Sequence, residues 1–444
     1  MCHNRRLQLT IEKLIYGGDG LARTAPDEQA RRKAVFVPFV LSGETIKAHT
    51  VEEKPGFVRA RASEILTPAP ERIPPPCPYF GRCGGCHYQH TAYEHQLEIK
   101  KAILTETIQR IAKTELPQAP EVHPSPPWNY RNRTRMKVRG GRRFAIGYHR
   151  FASHELLPVE TCPISSPLIN QAIDVLWKMG RAAAVPHEIE EIEFFASDDD
   201  GKLLLELNID DRATEGMSSQ LLTFVRALRD QLSAIVGVAV FRREGQSLRH
   251  EHVSYQHREI FEAEQLTYRI SEFQYQVSAG SFFQTNRHLS AQMLSIVIGA
   301  RTGDYALDLY SGVGLFALPM SQTFREVAAV ESAPYSYHDL RRNCPSNVTG
   351  YHASTEQFLE GAAEIARFDY AVVDPPRGGM GEAAARQLAA LAPPRITYVS
   401  CDPATLARDL KVLLAAGYRI GRTHLIDLFP QTFHIESIME LEKH

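Results

Sequence analysis

From residue 276 onward the sequence repeats one design: a short apolar run, a turn, then a stretch of helical periodicity. The runs read YALDLYSGVG, EVAAVES, FDYAVVDPP and RITYVSCDP. Strands that are apolar on both sides are buried on both sides, and such strands alternating with helices build a doubly wound parallel sheet. Ligands of open α/β sheets sit in the crevice at the carboxyl ends of the strands, which is where these runs place their polar residues. A Rossmann-like α/β domain is therefore expected over 276–444, with its chemistry at the strand ends.

The first run continues as Asp308-Leu-Tyr-Ser-Gly-Val-Gly. Gly312 and Gly314 permit a tight turn and close approach of a cofactor, and Glu331, at the end of the second run, can accept hydrogen bonds from ribose hydroxyls. G-x-G-x-x-A suits NAD as well as S-adenosylmethionine, so this loop alone does not choose. The third run ends in Asp374-Pro375-Pro376-Arg377 and the fourth in Ser400-Cys401-Asp402-Pro403. Asp402 can cap a following helix and Pro403 suits its first turn. Cys401 then lies just before a helix N-terminus, whose partial positive charge lowers a thiol pKa, and is expected to be a nucleophile rather than a buried structural cysteine.

A cysteine beside a methyl donor suggests methylation at carbon 5 of uracil. Thiolate addition at carbon 6 makes carbon 5 nucleophilic, and a general base must later remove the carbon-5 proton. The segment LFPQTFHIESIMELE offers His434, Glu436, Glu440 and Glu442. Alternation favours a strand that brings Glu436 to the crevice beside His434, and chemistry alone does not decide between those two.

Seven cysteines, an odd number, in a chain with no apolar leader at its N-terminus argue against a disulfide framework and for a reducing cytoplasm. Cys77, Cys83 and Cys86 form C-x5-C-x2-C around Gly81, Gly84 and Gly85. Zinc would take these thiolates with His87 nearby; a four-iron cluster would take a fourth thiolate, best supplied by Cys162, which precedes a proline as Cys77 does. Spacing leaves both open.

Residues 6–65 read as short strands with glycine turns, a small closed barrel. Six prolines over 68–78 exclude a helix there, whereas 91–114 has helical spacing with Leu97, Leu104, Ile108 and Ile111 on one face. A second proline-rich stretch covers 117–127. The formal net charge of −2 gives no hint of nucleic acid, yet 128–150 holds eight Arg and Lys and no acid. Arg131, Arg133, Arg135, Lys137 and Arg139 occupy alternate positions, so a strand would align them on one face at about 6.6 Å intervals, a spacing suited to phosphates. The row is expected to bind RNA in a salt-dependent way. No apolar run is long enough to span a membrane.

SFFQTN (281–286), DLYSGVG, DPPRGG, SCDP and HIES occur in the order typical of RNA uracil-5-methyltransferases, and the whole chain resembles that family. C-x5-C-x2-C with a distant fourth cysteine resembles its iron–sulfur branch, typified by 23S rRNA enzymes, and the N-terminal strands resemble a TRAM domain, an OB-like RNA-binding barrel. The resemblance implies Cys401 as nucleophile and Glu436 as base. It also implies Gln284, Tyr310, Glu331 and Asp374 as S-adenosylmethionine and active-site contacts, and Cys77, Cys83, Cys86 and Cys162 as ligands of a [4Fe–4S] cluster; a structural role is expected for that cluster, rather than contact with RNA, because its ligands lie outside the methyltransferase domain. Leu315 departs from the family, which often has an asparagine at that position touching the cofactor, and Ser354 matches an adenine contact.

The implied organisation is a TRAM-like barrel over 1–66, an α+β central domain with the cluster loop and basic strand over 67–275, and the methyltransferase domain over 276–444. The implied partner is RNA, 23S rRNA ahead of tRNA, for a cytoplasmic monomer without membrane contact. Three rivals stand beside this reading. An exocyclic-amine methyltransferase is suggested by Asp-Pro-Pro, though Arg377 stands where its aromatic would be. The others are an RNA-binding or ribosome-assembly factor without catalysis and, weakest, an NAD enzyme.

Overall fold

The computed structural model describes residues 6–26, 29–209, 219–243, 255–362 and 367–443, so Cys2 lies outside the described residues. The chain builds three large sheets. The first has six strands, Arg6–Thr10, Lys13–Leu14, Asp19–Arg23, Ala34–Pro38, Thr45–Glu53 and Phe57–Thr67. Alternate residues such as Val35, Val37, Ile46, Ala48, Val58 and Ala60 fill its small core, as period-two strands with one buried face require. Phe39 leaves this alternation: its backbone takes a positive φ of 62°, and its ring turns toward the cysteine loop, 5.2 Å from the Phe80 ring and 4.7 Å from Phe151.

The second sheet has seven strands, ordered Leu156–Pro158, Ala145–His149, Arg133–Arg139, Ile189–Ala196, Leu203–Ile209, Ile235–Arg243 and Tyr255–Glu262. The basic strand forms as its alternation requires, but its cationic face is not free for phosphates. It pairs antiparallel with Ile189–Ala196, in a register that sets Lys137 opposite Glu191 and Arg135 opposite Glu193. Arg133 is buried and binds both Glu193 and Glu206, Arg135 reaches Glu193 at 2.6 Å, and Lys137 pairs with Glu191. The carboxylates that the basic segment lacks come from strands fifty residues and more downstream in the sequence. Cross-strand ion pairs at these positions stabilise the sheet rather than leave a phosphate track. Arg131 lines the cysteine cavity, so of the expected RNA-binding row Arg139 remains exposed without a carboxylate partner opposite it among the described residues, next to the exposed Arg142 and Arg143 outside the row.

The third sheet has eight strands, ordered Val348–His352, Phe324–Glu331, Gly303–Leu309, Tyr370–Val373, Arg395–Ser400, Glu436–Lys443, Tyr418–Ile426 and Glu121–His123. The first five run parallel, as the apolar runs imply, and Glu436–Lys443 inserts antiparallel. Its last member comes from the second proline-rich stretch: Glu121–His123 lies parallel to Tyr418–Ile426. The helix Tyr93–Ala112 also joins this body, packing on the helix Pro403–Ala415. Its buried face is Gln96, Lys100, Ile103, Leu104, Thr107, Ile108 and Ala112. Leu97 and Ile111, expected on that face, are only partly buried, because two polar side chains are drawn inward by partners on the C-terminal segment. Among the described residues no helix is long and apolar enough to cross a membrane.

Candidate active site

Asp402 caps the last helix: its Oδ1 accepts the backbone N–H groups of Ala404 at 2.9 Å and Thr405 at 3.0 Å, and Pro403 opens the first turn. The half-buried Cys401 sits directly before this N-terminus. The expected lowering of its thiol pKa does not follow. Burial, then the carboxylates of Glu436 and Asp374, push the Cys401 thiol up to about 12, against the opposing pull of Arg377. A helix end carries only about half a charge, which is less than the desolvation and the two acids it faces.

Glu436 opens its strand beside Arg395–Ser400 and is almost fully buried. Burial and the neighbouring Asp374 hold its carboxyl well above the usual range, while Arg377 opposes. Burial also pushes Asp374 up to about 7. Cys401, Glu436 and Asp374 are thus three acids around one guanidinium, and they cannot all ionise together. His434 behaves oppositely: burial, then Arg377 and His87, push its imidazole down to about 3, and its Nε2 lies 3.4 Å from the Arg377 guanidinium.

The segment before Glu436 is held from outside its own sheet. Lys100 reaches Asp427 at 2.6 Å and the Phe429 carbonyl at 2.9 Å. Gln96 and Gln431 exchange two hydrogen bonds, with the Gln96 amide donating to Gln431 Oε1 at 3.0 Å and the Gln431 N–H donating to Gln96 Oε1 at 2.9 Å. The N–H groups of His87 and Tyr88, next to the cysteine loop, donate to the Gln431 carbonyl at 2.8 and 3.0 Å. Tyr16, from the turn before Asp19–Arg23, donates its hydroxyl to the Cys401 carbonyl at 3.2 Å and meets Phe433 edge-on at 5.5 Å. Sequence spacing gave no signal for Tyr16 or Gln96, because both lie more than three hundred residues from the groups they hold.

A glycine turn and a carboxylate meet at the carboxyl ends of the neighbouring parallel strands Gly303–Leu309 and Phe324–Glu331. Glu331 accepts N–H groups from Gly312 at 2.8 Å and Ala333 at 2.5 Å, which fixes its carboxylate across the glycine turn. Gly312 has φ +56°, and a Cβ there would meet nothing within 4 Å, so the turn leaves open room for a ligand. Tyr310 takes the left-handed φ of 63°, unusual for a non-glycine and common where a site constrains the backbone. Asp374 follows the third strand, its N–H reaching the Leu309 carbonyl at 3.3 Å. A fixed carboxylate, a second acid and open space above a glycine turn suit S-adenosylmethionine. Gln284 is buried in the connection leading to the helix Ser290–Ile298. Phe282, two residues before it, is an exposed aromatic that the sequence contained but spacing did not single out. Leu315 is buried in the core, and Ser354 caps the helix Thr355–Gly361 through a capping box.

Cys77, Cys83, Cys86 and Cys162 line one cavity of about 50 Å³ together with Arg131 and Tyr148. None of the four is in a disulfide. Burial holds the thiols of Cys77 and Cys86 above their ordinary range and pushes Cys83 up to about 11, so these three favour the neutral thiol unless a metal centre takes their sulfurs. The His87 ring is not in the cavity lining and packs on Phe433 at 4.6 Å. Cys344 is packed beneath Gly314 in the core.

Alkylation of Cys401 by iodoacetamide, read by peptide mass spectrometry without methyl donor, is expected to be slow near neutral pH. It should rise about tenfold per pH unit up to about pH 10, because below a raised pKa the thiolate fraction climbs that way. A plateau near about pH 8 would contradict the raised pKa.

The family model described as tRNA (Uracil-5-)-methyltransferase matches residues 92–444. The chain belongs to this family. Among curated proteins this uracil-5-methyltransferase is 33% identical to an uncharacterized RNA methyltransferase of Aquifex aeolicus, covering 99% of both chains. It is 32% identical to the 23S rRNA (uracil(1939)-C(5))-methyltransferase RlmD of Pectobacterium atrosepticum, covering 98% of this chain and 93% of that one. The solved tRNA (uracil-54, C5)-methyltransferase of Pyrococcus abyssi, in complex with S-adenosyl-L-homocysteine, shares the fold with a TM-score of 0.74 at 24% identity, over 98% of this chain and 100% of that one. Membership sets aside the exocyclic-amine methyltransferase, the NAD enzyme and the non-catalytic RNA-binding factor.

Proposed function

We propose that this methyltransferase modifies carbon 5 of a uracil in 23S rRNA, with Cys401 as nucleophile and Glu436 as base. The observation that carries the reading is the convergence of Cys401, Glu436 and Asp374 around Arg377 at the strand ends. Gln284, Tyr310, Glu331 and Asp374 are assigned to the crevice that holds S-adenosylmethionine and the base. When bound, that cofactor supplies an electrophilic methyl group on a cationic sulfonium, a charge that favours the ionised forms of the three acids. Cys401 as thiolate adds to carbon 6 of the uracil, and the enolate so formed takes up the methyl group at carbon 5, which then carries both the methyl and its hydrogen. Glu436 as carboxylate then removes the carbon-5 proton, and the electron pair of that bond re-forms the carbon 5–carbon 6 double bond as the thiolate leaves.

Cys77, Cys83, Cys86 and Cys162 are assigned as ligands of a [4Fe–4S] cluster. Their four-sulfur lining fits it, and Arg131 offers a cation beside it. The cluster has a structural role in this reading, because its loop fixes the Gln431 carbonyl in the segment before Glu436. Exposed Phe282 offers a face on which a base can stack, and Arg139, Arg142 and Arg143 offer phosphate contacts.

The choice of 23S rRNA over tRNA rests on the RlmD relative, similar over nearly the whole chain. Incubation with methyl donor and either unmodified 23S rRNA or tRNA, followed by mass mapping, is expected to give 5-methyluridine in the rRNA only. Methylation should be lost in Cys401→Ser. Methylation of tRNA alone would overturn the substrate, and an active Cys401→Ser would overturn the mechanism.

A further inference from the structure

Away from the nucleophile, at the far edge of the third sheet, two buried histidines and a glutamate converge. Glu121 and His123 sit on the short edge strand and His424 on its parallel neighbour. His123 Nε2 lies 3.0 Å from His424 Nδ1. Glu121 Oε1 lies 3.8 Å from His123 Nε2, and Glu121 Oε2 lies 3.4 Å from His424 Nδ1. A tetrahedral zinc ion with ligands at 2.0–2.1 Å holds them about 3.3 Å apart, so the three separations bracket the edges of such a site.

Ligand histidines of metal sites donate the N–H of their other ring nitrogen to a carboxylate, a carbonyl or water. Gln292 Nε2 lies 2.7 Å from His123 Nδ1, where the amide turned over presents its oxygen to that N–H, and the buried His424 Nε2 has no hydrogen-bond partner among the described residues, with Glu440 3.8 Å away. Glu440 is itself fixed by Arg301 at 2.9 Å and Arg422 at 3.3 Å, which leaves its charge balanced. The inner nitrogens, His123 Nε2 and His424 Nδ1, face each other. Both rings are buried, while the Glu121 side chain is 61% exposed, so the remaining coordination position opens to solvent.

We propose that Glu121, His123 and His424 bind a zinc-class divalent cation, completed by water, that staples the edge strand to the sheet. The staple lies next to the active-site support, since the Asp427 N–H donates to the His123 carbonyl at 3.0 Å and Asp427 in turn holds Lys100. Two nitrogens and a carboxylate suit zinc, cobalt or nickel rather than calcium or magnesium.

The test uses protein carrying its full complement at the four cysteines, titrated with Co²⁺ and followed by visible absorption and equilibrium dialysis. About one equivalent is expected to bind with weak d–d absorption and without a thiolate charge-transfer band. Glu121→Gln, an exposed change that leaves the fold alone, should weaken binding at least about tenfold, and His424→Ala should abolish it. The proposal is overturned if the wild type binds no Co²⁺, as a simple hydrogen-bonded histidine pair would not. It is equally overturned if only the thiolate band develops, or if Glu121→Gln binds as tightly as wild type.

Discussion

Glu436→Gln is expected to stall on its RNA as a covalent adduct that survives denaturation, while turnover falls by about 10²–10⁴. Addition of Cys401 to carbon 6 does not need Glu436, so the first half of the reaction proceeds. Release does need a base, because carbon 5 must lose its proton before the thiolate can depart. Burial and Asp374 favour the protonated Glu436 in the resting site, and glutamine matches that form in shape, so the variant should keep the resting architecture. Labelled rRNA incubated with methyl donor and run on a denaturing gel would show the adduct. The competing base is His434. Burial and Arg377 push its imidazole down to about 3, which leaves it neutral but a poor proton acceptor. Full turnover by Glu436→Gln without adduct would move the role to that histidine.

Lys100→Ala is expected to destabilise the protein by about 3–5 kcal/mol. Lys100 and Asp427 are both fully buried and 2.6 Å apart, so removing the ammonium leaves a carboxylate without its ion pair in a dry interior. The replacement pair Lys100→Met with Asp427→Leu should recover most of the loss, since it removes both desolvated charges together. Denaturant unfolding followed by fluorescence gives the comparison. The loss should also reach catalysis, because Lys100 holds the Phe429 carbonyl in the segment that leads to Glu436. An unchanged unfolding midpoint in Lys100→Ala would show that water reaches the pair.

The parallel sheet was legible because its strands are apolar on both faces and the glycine turn, Asp374 and Cys401 follow them directly in sequence. The capping role of Asp402 was legible for the same reason: capping is a contact within three residues. The basic strand was misread in its function although its alternation was right. Charge counting along a segment sees only covalent neighbours, whereas Glu191 and Glu193 arrive on the strand that pairs with it in space and Glu206 on the next strand over. Helix 93–112 was placed correctly but rotated, since hydrophobic periodicity assigns Gln96 and Lys100 to solvent. Their buried partners, Gln431 and Asp427, lie at the other end of the chain.

Sequence by itself determined the residue types and the local turns: three cysteines close together around glycines, a cysteine before a capped helix, a carboxylate at the start of the last strand. These depend on spacing over a few residues and on hydrophobic period, which the chain carries in one dimension. Only the tertiary structure decided the protonation of the site and what holds it. Desolvation and through-space charge set the Cys401 thiol high rather than low, and they depend on which groups folding brings together. The same is true of Tyr16 on the Cys401 carbonyl and of the cysteine loop on Gln431, where the N-terminal sheet and the cysteine loop reach across the chain to the catalytic segment.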